Sequence, residues 1–309
     1  MDVVLEVPSL PIRGGNVMAA SAQRYAGGAV TILLAAARSG ALAVHAGAIG
    51  TGPNGDLIRE ALAADGIAVA GAPVPDQDTG ICVVLVESSA ERSFVTTLGA
   101  ERQVSAASLD SAAPVAGDLV CVSGYSLIEP TVSGLLPWLE SLSPAGAGAA
   151  GSGIEIVLDP GAIFADLPED IRRRALAVTT VWTSNAEEAR ALGGATGLDR
   201  APARVAEHLP DSAVVVVRDG EHGCAVHVGG EGVLVPGFPQ TPVDTNGAGD
   251  THTGALCARA VATDRPGRDL GDWAVAARYA NAAAAIKVTR RGPTTAPRRD
   301  EVTAFLAGA

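Results

Sequence analysis

A chain of 309 residues of which 48% are apolar can bury a large α/β core, and aromatics at 3% make that core aliphatic. The formal charge of -12 argues against a nucleic-acid or anionic-membrane partner, whose phosphates the surface repels; any nucleotide is held by a local site. Cys82, Cys121, Cys224 and Cys257 contain no CxxC pair, suggest neither zinc nor a disulfide framework, and read as small apolar residues of the interior.

Asp2 to Val7 is rich in β-branched residues and predicts a strand, Pro8 to Gly15 a turn region, and Val17 to Tyr25 a second short strand. The opening MDVVLEVPSLPIRGG has no basic segment leading into a long apolar run, and no stretch reaches about 18 uninterrupted apolar residues, which predicts a cytosolic protein. Gly27 and Gly28 precede Val30 to Ser39, an apolar run of helix formers that Gly40 terminates. Ala43 to Ile49 is a strand running into GAIGTGPNGD. Its glycines follow GxxGxG where a dinucleotide-binding turn needs GxGxxG, so a Rossmann dehydrogenase is set aside.

Asp56 to Ala64 predicts a helix and Ile67 to Val69 a short strand; Thr79 to Val86 and Ser93 to Thr97 form a hairpin around Glu87 to Arg92. Asp118 to Ser123 and Ile154 to Leu158 are buried strands followed by Gly124 and by Asp159-Pro160. Between them lie a helix, Thr131 to Leu142, and a flexible surface loop, SPAGAGAAGSG. Val178 to Thr183 is a strand leading into SNAEE, where Ser184 as N-cap with acids in the first turn accounts for the string without any function. Ala213 to Val217 is a buried strand, Arg218 to Cys224 the loop after it, and Asp272 to Val288 a long helix. The alternation predicts a doubly wound α/β fold whose mostly parallel sheet carries helices on both faces. Ligands of such sheets sit at the carboxyl ends of the strands, where Gly124 and Asp159 fall.

PVDTNGAGDTHTGAL, Pro242 to Leu256, concentrates the chemistry. Gly247, Ala248 and Gly249 let a tight turn present its backbone N–H groups, and the helix behind adds its positive dipole end, which makes an anion cradle. Asp250 sets a carboxylate beside that cradle. Either the glycines form a plain turn with Asp250 as N-cap, or Asp250 takes the proton of a hydroxyl attacking a phosphoryl group.

DTNGAGD resembles the C-terminal signature of the ribokinase-like (PfkB) carbohydrate kinases. In that family the last Asp is the catalytic base and the small residues before it form the anion hole. YAGGAVTILLAAARSGA is similar to the family's N-terminal signature, so the resemblance assigns Asp2, Gly27, Gly28 and Asp250 to the sugar. Lys and Asn, usual in that first helical turn, are replaced by Ala29 and Ile32, and no acidic sugar contact is evident around Tyr125; this argues against ribose and leaves the acceptor open.

Asn185 and Glu188 match the family's NxxE motif, Glu188 facing Mg²⁺ through water. Arg218, Gly220, Gly223, Gly249 and Asn281 match positions along ATP. Asp244, Asn246, Lys287, Arg290, Gly292 and Ala296 match positions whose oxygens, largely backbone carbonyls, surround a potassium ion. The resemblance spans Asp2 to Pro297 and implies one ribokinase-like domain, 1–309, with a small β-sheet lid from strands at about 2–8, 17–25, 79–86 and 93–97. It implies an ATP- and Mg²⁺-dependent sugar kinase, with K⁺ as a further candidate ion and a homodimer formed through the lid.

Family members carry a strand before the sugar-binding Asp, whereas only Met1 precedes Asp2. That difference implies either a further N-terminal segment or a sheet short of a strand, with unpaired backbone groups. A nucleoside kinase of the same fold and a non-catalytic sugar- or nucleotide-binding protein are the alternatives; a pure binder has no need of Asp250 beside an anion site.

Overall fold

Val214 and Val216 pack into one cluster of buried apolar side chains, and Val215 and Val217 into another on the opposite face. A run of four valines is therefore buried from both sides, as inner strands of a layered α/β sheet are. The computed structural model describes residues 1–89, 91–143, 153–262 and 269–308. Most of the low-complexity loop, 144–152, lies outside the described residues.

The chain opens with β1 (Asp2–Val7) and β2 (Ser21–Tyr25), followed by α1 (Ala29–Arg38), β3 (Val44–His45), α2 (Pro53–Ala64) and β4 (Ala68–Val69). Next come β5 (Cys82–Glu87), β6 (Arg92–Thr96), α3 (Ala106–Asp110), β7 (Leu119–Ser123) and α4 (Thr131–Leu142). The succession continues with β8 (Glu155–Asp159), α5 (Glu169–Val178), β9 (Val181–Asn185), α6 (Ala186–Gly193), α7 (Ala201–Ala206) and β10 (Val214–Arg218). The hairpin of β11 (Gly223–Val228) and β12 (Glu231–Pro236) precedes α8 (Ala248–Ala260), α9 (Leu270–Val288) and α10 (Arg299–Ala307).

The main sheet has six strands in the order β12-β11-β10-β9-β8-β7. It is parallel from β7 to β10 and antiparallel through β11 and β12. α3 to α7 cover one face, where Phe164 meets Trp182 edge-on at 5.5 Å, and α8, α9 and α10 cover the other. A separate four-stranded sheet, β2-β1-β5-β6, gathers the strands expected for a lid, and β3 with β4 forms a sheet of its own.

Several boundaries move. The second strand starts at Ser21 and not Val17, and the expected strand from Ala43 to Ile49 is only Val44–His45. α2 begins at Pro53, three residues before the expected Asp56, because a distant carboxylate caps it: Asp78 accepts from the Asn54 and Gly55 N–H groups at 3.1 and 2.9 Å. Of the cysteines, Cys224 is buried, Cys82 and Cys257 are half-buried, and Cys121 is exposed on β7, an outer strand, so the expected interior placement fails there.

Candidate active site

α1 and α8 run side by side at contact distance because Gly254 has no side chain: a Cβ there would stand 2.2 Å from the Ile32 carbonyl oxygen. Each helix is entered through a glycine with positive φ, Gly28 at 60° and Gly247 at 76°. At the start of α1, Gly27 leaves room for a carboxylate. A Cβ at that position would lie 2.1 Å from Asp2 Oδ2, so the first residue of β1 is seated against the α1 entry turn. Ala29 is exposed in the first turn, whereas Ile32 is buried in the core.

Asp250 is not the N-cap of α8. That position belongs to Gly247, and Asp250 lies in the first turn, beside N–H groups that have no acceptor within the helix. Burial first, and then the charge of Asp159, raise the Asp250 pKa to about 7; Arg218 opposes, Asp2 adds to the rise and Lys287 lowers it. The influence of Asp2 on Asp250 puts the two in one electrostatic neighbourhood, although 247 residues separate them in the chain.

Three consecutive parallel strands deliver Asp159, Asn185 and Arg218 at their carboxyl ends. The Arg218 guanidinium lies under the first turns of α8. Nη1 donates to the Gly249 carbonyl at 2.7 Å and the Thr253 hydroxyl at 2.8 Å, Nη2 to Asp159 Oδ2 at 3.3 Å, and Nε to the Ser184 carbonyl at 3.2 Å. Thr253 in turn donates to Asp159 Oδ2 at 2.9 Å. Thr253 escaped the sequence reading because only the helical repeat places it one turn beyond Asp250, above Asp159.

Asn185, and not Ser184, caps α6. Its Oδ1 accepts from the Glu188 N–H at 2.8 Å while Glu188 Oε2 accepts from the Asn185 N–H at 2.9 Å. Ser184 is instead fully buried in β9, accepting from the Trp182 indole at 2.8 Å. Burial raises the Glu188 pKa, with Asp159 adding to the rise and Arg218 opposing it. Among the described residues there is no cluster of three or more His, Cys, Asp or Glu able to hold a metal directly.

Farther out, Gly220 (φ 54°) has open space on its Cβ side, while a Cβ at Gly223 would meet the Val235 carbonyl at 2.2 Å, so only glycine lets β11 start against the end of β12. Asn281 is buried in α9, donating to the Val235 and Pro236 carbonyls at 3.2 and 3.1 Å and standing 3.1 Å from His252 Nε2. Asp244, Asn246, Lys287 and Gly292 come together where the turn before α8 meets the loop after α9, whereas the Ala296 carbonyl accepts from Arg38 Nη1 at 3.1 Å. Arg290, also in that loop, pairs outward with Glu301. No described helix is long and apolar enough to cross a membrane.

The arrangement sets a carboxylate with raised proton affinity in the first turn of α8, above the carboxyl ends of three parallel strands that carry Asp159, Asn185 and Arg218. Residues 1–299 match the model of the pfkB family carbohydrate kinases. An ATP-dependent ribose-1-phosphate kinase of Halopiger xanaduensis is 30% identical over 310 residues, 99% of this chain and 95% of that protein. The solved ribokinase of Giardia lamblia superposes with a TM-score of 0.82 at 26% identity, covering 99% of this chain and 96% of that one. An Arabidopsis thaliana ribokinase complexed with ribose and ATP shares the fold at a TM-score of 0.77 and 24% identity, with 99% and 95% covered. The chain therefore belongs to the pfkB family of carbohydrate kinases.

Proposed function

We propose that this sugar kinase transfers the γ-phosphoryl group of ATP to a hydroxyl of its acceptor, with Asp250 as general base. The position of Asp250 carries the reading. A carboxyl whose pKa is raised to about 7 stands in the first turn of a helix whose N–H groups attract an anion. Ionised, it can accept the proton of the attacking hydroxyl as the phosphoryl group is engaged. The backbone of Gly247, Ala248 and Gly249 stabilises the charge that spreads over the transferred group.

Asp2, seated against Gly27, orients the acceptor together with Gly28. With Ala29 and buried Ile32 in the first turn of α1, the acceptor is gripped mainly by Asp2 and by the ring of Tyr125, which is half-exposed near the end of β7. On the nucleotide side, Asn185, Gly220 and Gly223 shape the strand-end loops, and Arg218 and Asn281 hold the wall from behind.

Mg²⁺ bound with ATP supplies neutralisation of the phosphoryl oxygens. Glu188 would hold it through water, and the crowding of negative charge among Glu188, Asp159 and Asp250 fits a divalent ion. With ATP as donor the protein is placed in the cytoplasm. Exposed Phe94 and Val95 on β6 are the apolar residues that a homodimer formed through the small sheet would cover.

A coupled ADP-release screen with Mg²⁺-ATP against pentoses, hexoses, keto-sugar acids and nucleosides tests the reading, with Asp250→Asn as the blank. One acceptor whose turnover depends on Asp250 supports it; full turnover in the variant removes Asp250 from the mechanism.

A further inference from the structure

Lys287, near the end of α9, is fully buried at 0% exposure, a setting in which a charged ammonium is almost never left without a partner. Its Nζ donates to the Asp244 carbonyl at 2.8 Å. Asp244 is itself a junction: Oδ1 accepts from the Asn246 N–H and Oδ2 from the Gly292 N–H, both at 2.8 Å. One residue thus ties the turn before α8 to the loop after α9, and Lys287 places a positive charge at that knot.

The family resemblance implies a potassium ion among the oxygens of this same region, and the residues present do not fit one. The Asp244 carbonyl is taken by Lys287, the Lys287 carbonyl accepts from Arg290 N–H at 2.9 Å, and the Gly292 carbonyl from the Thr295 hydroxyl at 2.8 Å. The Ala296 carbonyl accepts from Arg38 Nη1 at 3.1 Å, a group that also donates to the Thr294 carbonyl at 2.7 Å. Two of these oxygens are therefore already bound to positively charged side chains of the chain itself. An added monovalent cation would have to share those carbonyls with the Lys287 ammonium and the Arg38 guanidinium, where like charges repel.

The knot bears directly on the proposed phosphate turn. A Cβ at Gly247 would lie 2.7 Å from the Pro293 carbonyl, so the turn packs on the 290–296 loop with no slack. Lys287 also lowers the proton affinity of Asp250, which shows that its charge reaches the site.

We propose that Lys287 is a resident cation: its ammonium holds the Asp244–Asn246 turn against the 290–296 loop, so the Gly247–Gly249 turn is set without an added monovalent ion. The proposal rests on the kinase reading only in that the turn is taken to receive phosphate.

The test compares the full chain in potassium chloride and choline chloride at matched ionic strength, by thermal melting and by calorimetric titration with Mg²⁺-ATP. The wild type is expected to melt within about 1 °C in the two salts and to bind ATP with affinities within about twofold. Lys287→Ala, which vacates the pocket, is expected to melt lower in choline chloride and to regain roughly 2 °C or more in potassium chloride. A potassium-specific rise in the melting temperature of the wild type, or tightening of its ATP binding by about tenfold, overturns the proposal. So does a folded Lys287→Ala with wild-type melting and ATP affinity in choline chloride. If that variant does not fold, the wild-type comparison decides alone. Failure of the kinase reading would appear separately, as absence of turnover in both salts.

Discussion

Arg218 and Asp159 face each other beneath the first turn of α8, Nη2 and Oδ2 3.3 Å apart, with side chains 12% and 14% exposed. Through Gly249 and Thr253 the pair also grips the helix that carries Asp250. Its two charges act on Asp250 in opposite senses, Asp159 raising the pKa and Arg218 lowering it.

Substitutions within the pair should therefore separate on a pH profile. The base works only when ionised, so kcat/KM of the wild type is expected to fall as the pH drops below about 7. Asp159→Asn removes a charge that raises the pKa and moves this acid limb to lower pH; Arg218→Gln removes one that lowers it and moves the limb to higher pH. Profiles of both variants measured side by side decide the matter, and shifts in the same direction contradict it.

Asp250→Asn is expected to lower turnover by roughly 10²- to 10⁴-fold while stabilising the protein at neutral and alkaline pH. The folded pKa of about 7 lies above the unfolded value of 3.8, so the native state binds the extra proton. The resulting stability is fully present below pH 3.8 and is lost as the pH rises through about 7. Urea unfolding should find the variant more stable by roughly 1–3 kcal/mol near pH 8, with the gain fading in acid.

Asn185 and Glu188 cap α6 reciprocally, so structural and metal-facing roles must be pulled apart. Asn185→Ala is expected to cost about 1 kcal/mol of stability through loss of the cap. Glu188→Gln keeps an oxygen for the Asn185 N–H and should leave stability unchanged while raising the Mg²⁺ needed for half-maximal turnover by about tenfold or more. Magnesium titrations of turnover, paired with melting curves, check both arms.

Gly254→Ala tests the α1–α8 contact. The added methyl would stand 2.2 Å from the Ile32 carbonyl and 2.8 Å from the Ala35 Cβ, and neither backbone can yield alone. A loss of about 1–3 kcal/mol in denaturant unfolding is expected, with a raised KM for the acceptor as the α1 entry turn shifts away from Asp2. Unchanged stability and KM would show that the two helices are not held at this distance by glycine.

The alternation of strands and helices, the glycines at both helix entries and the Asp250 motif were legible in the chain because each depends on local chemistry: side-chain period, backbone freedom, charge beside a helix terminus. The fold class follows from the alternation, whereas the sugar-kinase family rested on the resemblance of the DTNGAGD and YAGGAVTILLAAARSGA strings, with which the match over residues 1–299 agrees. Boundaries governed by distant partners were not legible. α2 starts where Asp78 caps it, and α6 is capped one residue later than expected, since Ser184 is committed to Trp182 inside β9. The setting of Asp250 likewise needed the tertiary structure, because Asp159, Thr253 and Arg218 meet only when three parallel strands end at one level. The burial of Lys287 at Asp244, 43 residues away in the chain, arises from the packing of two loops, which no local sequence signal records.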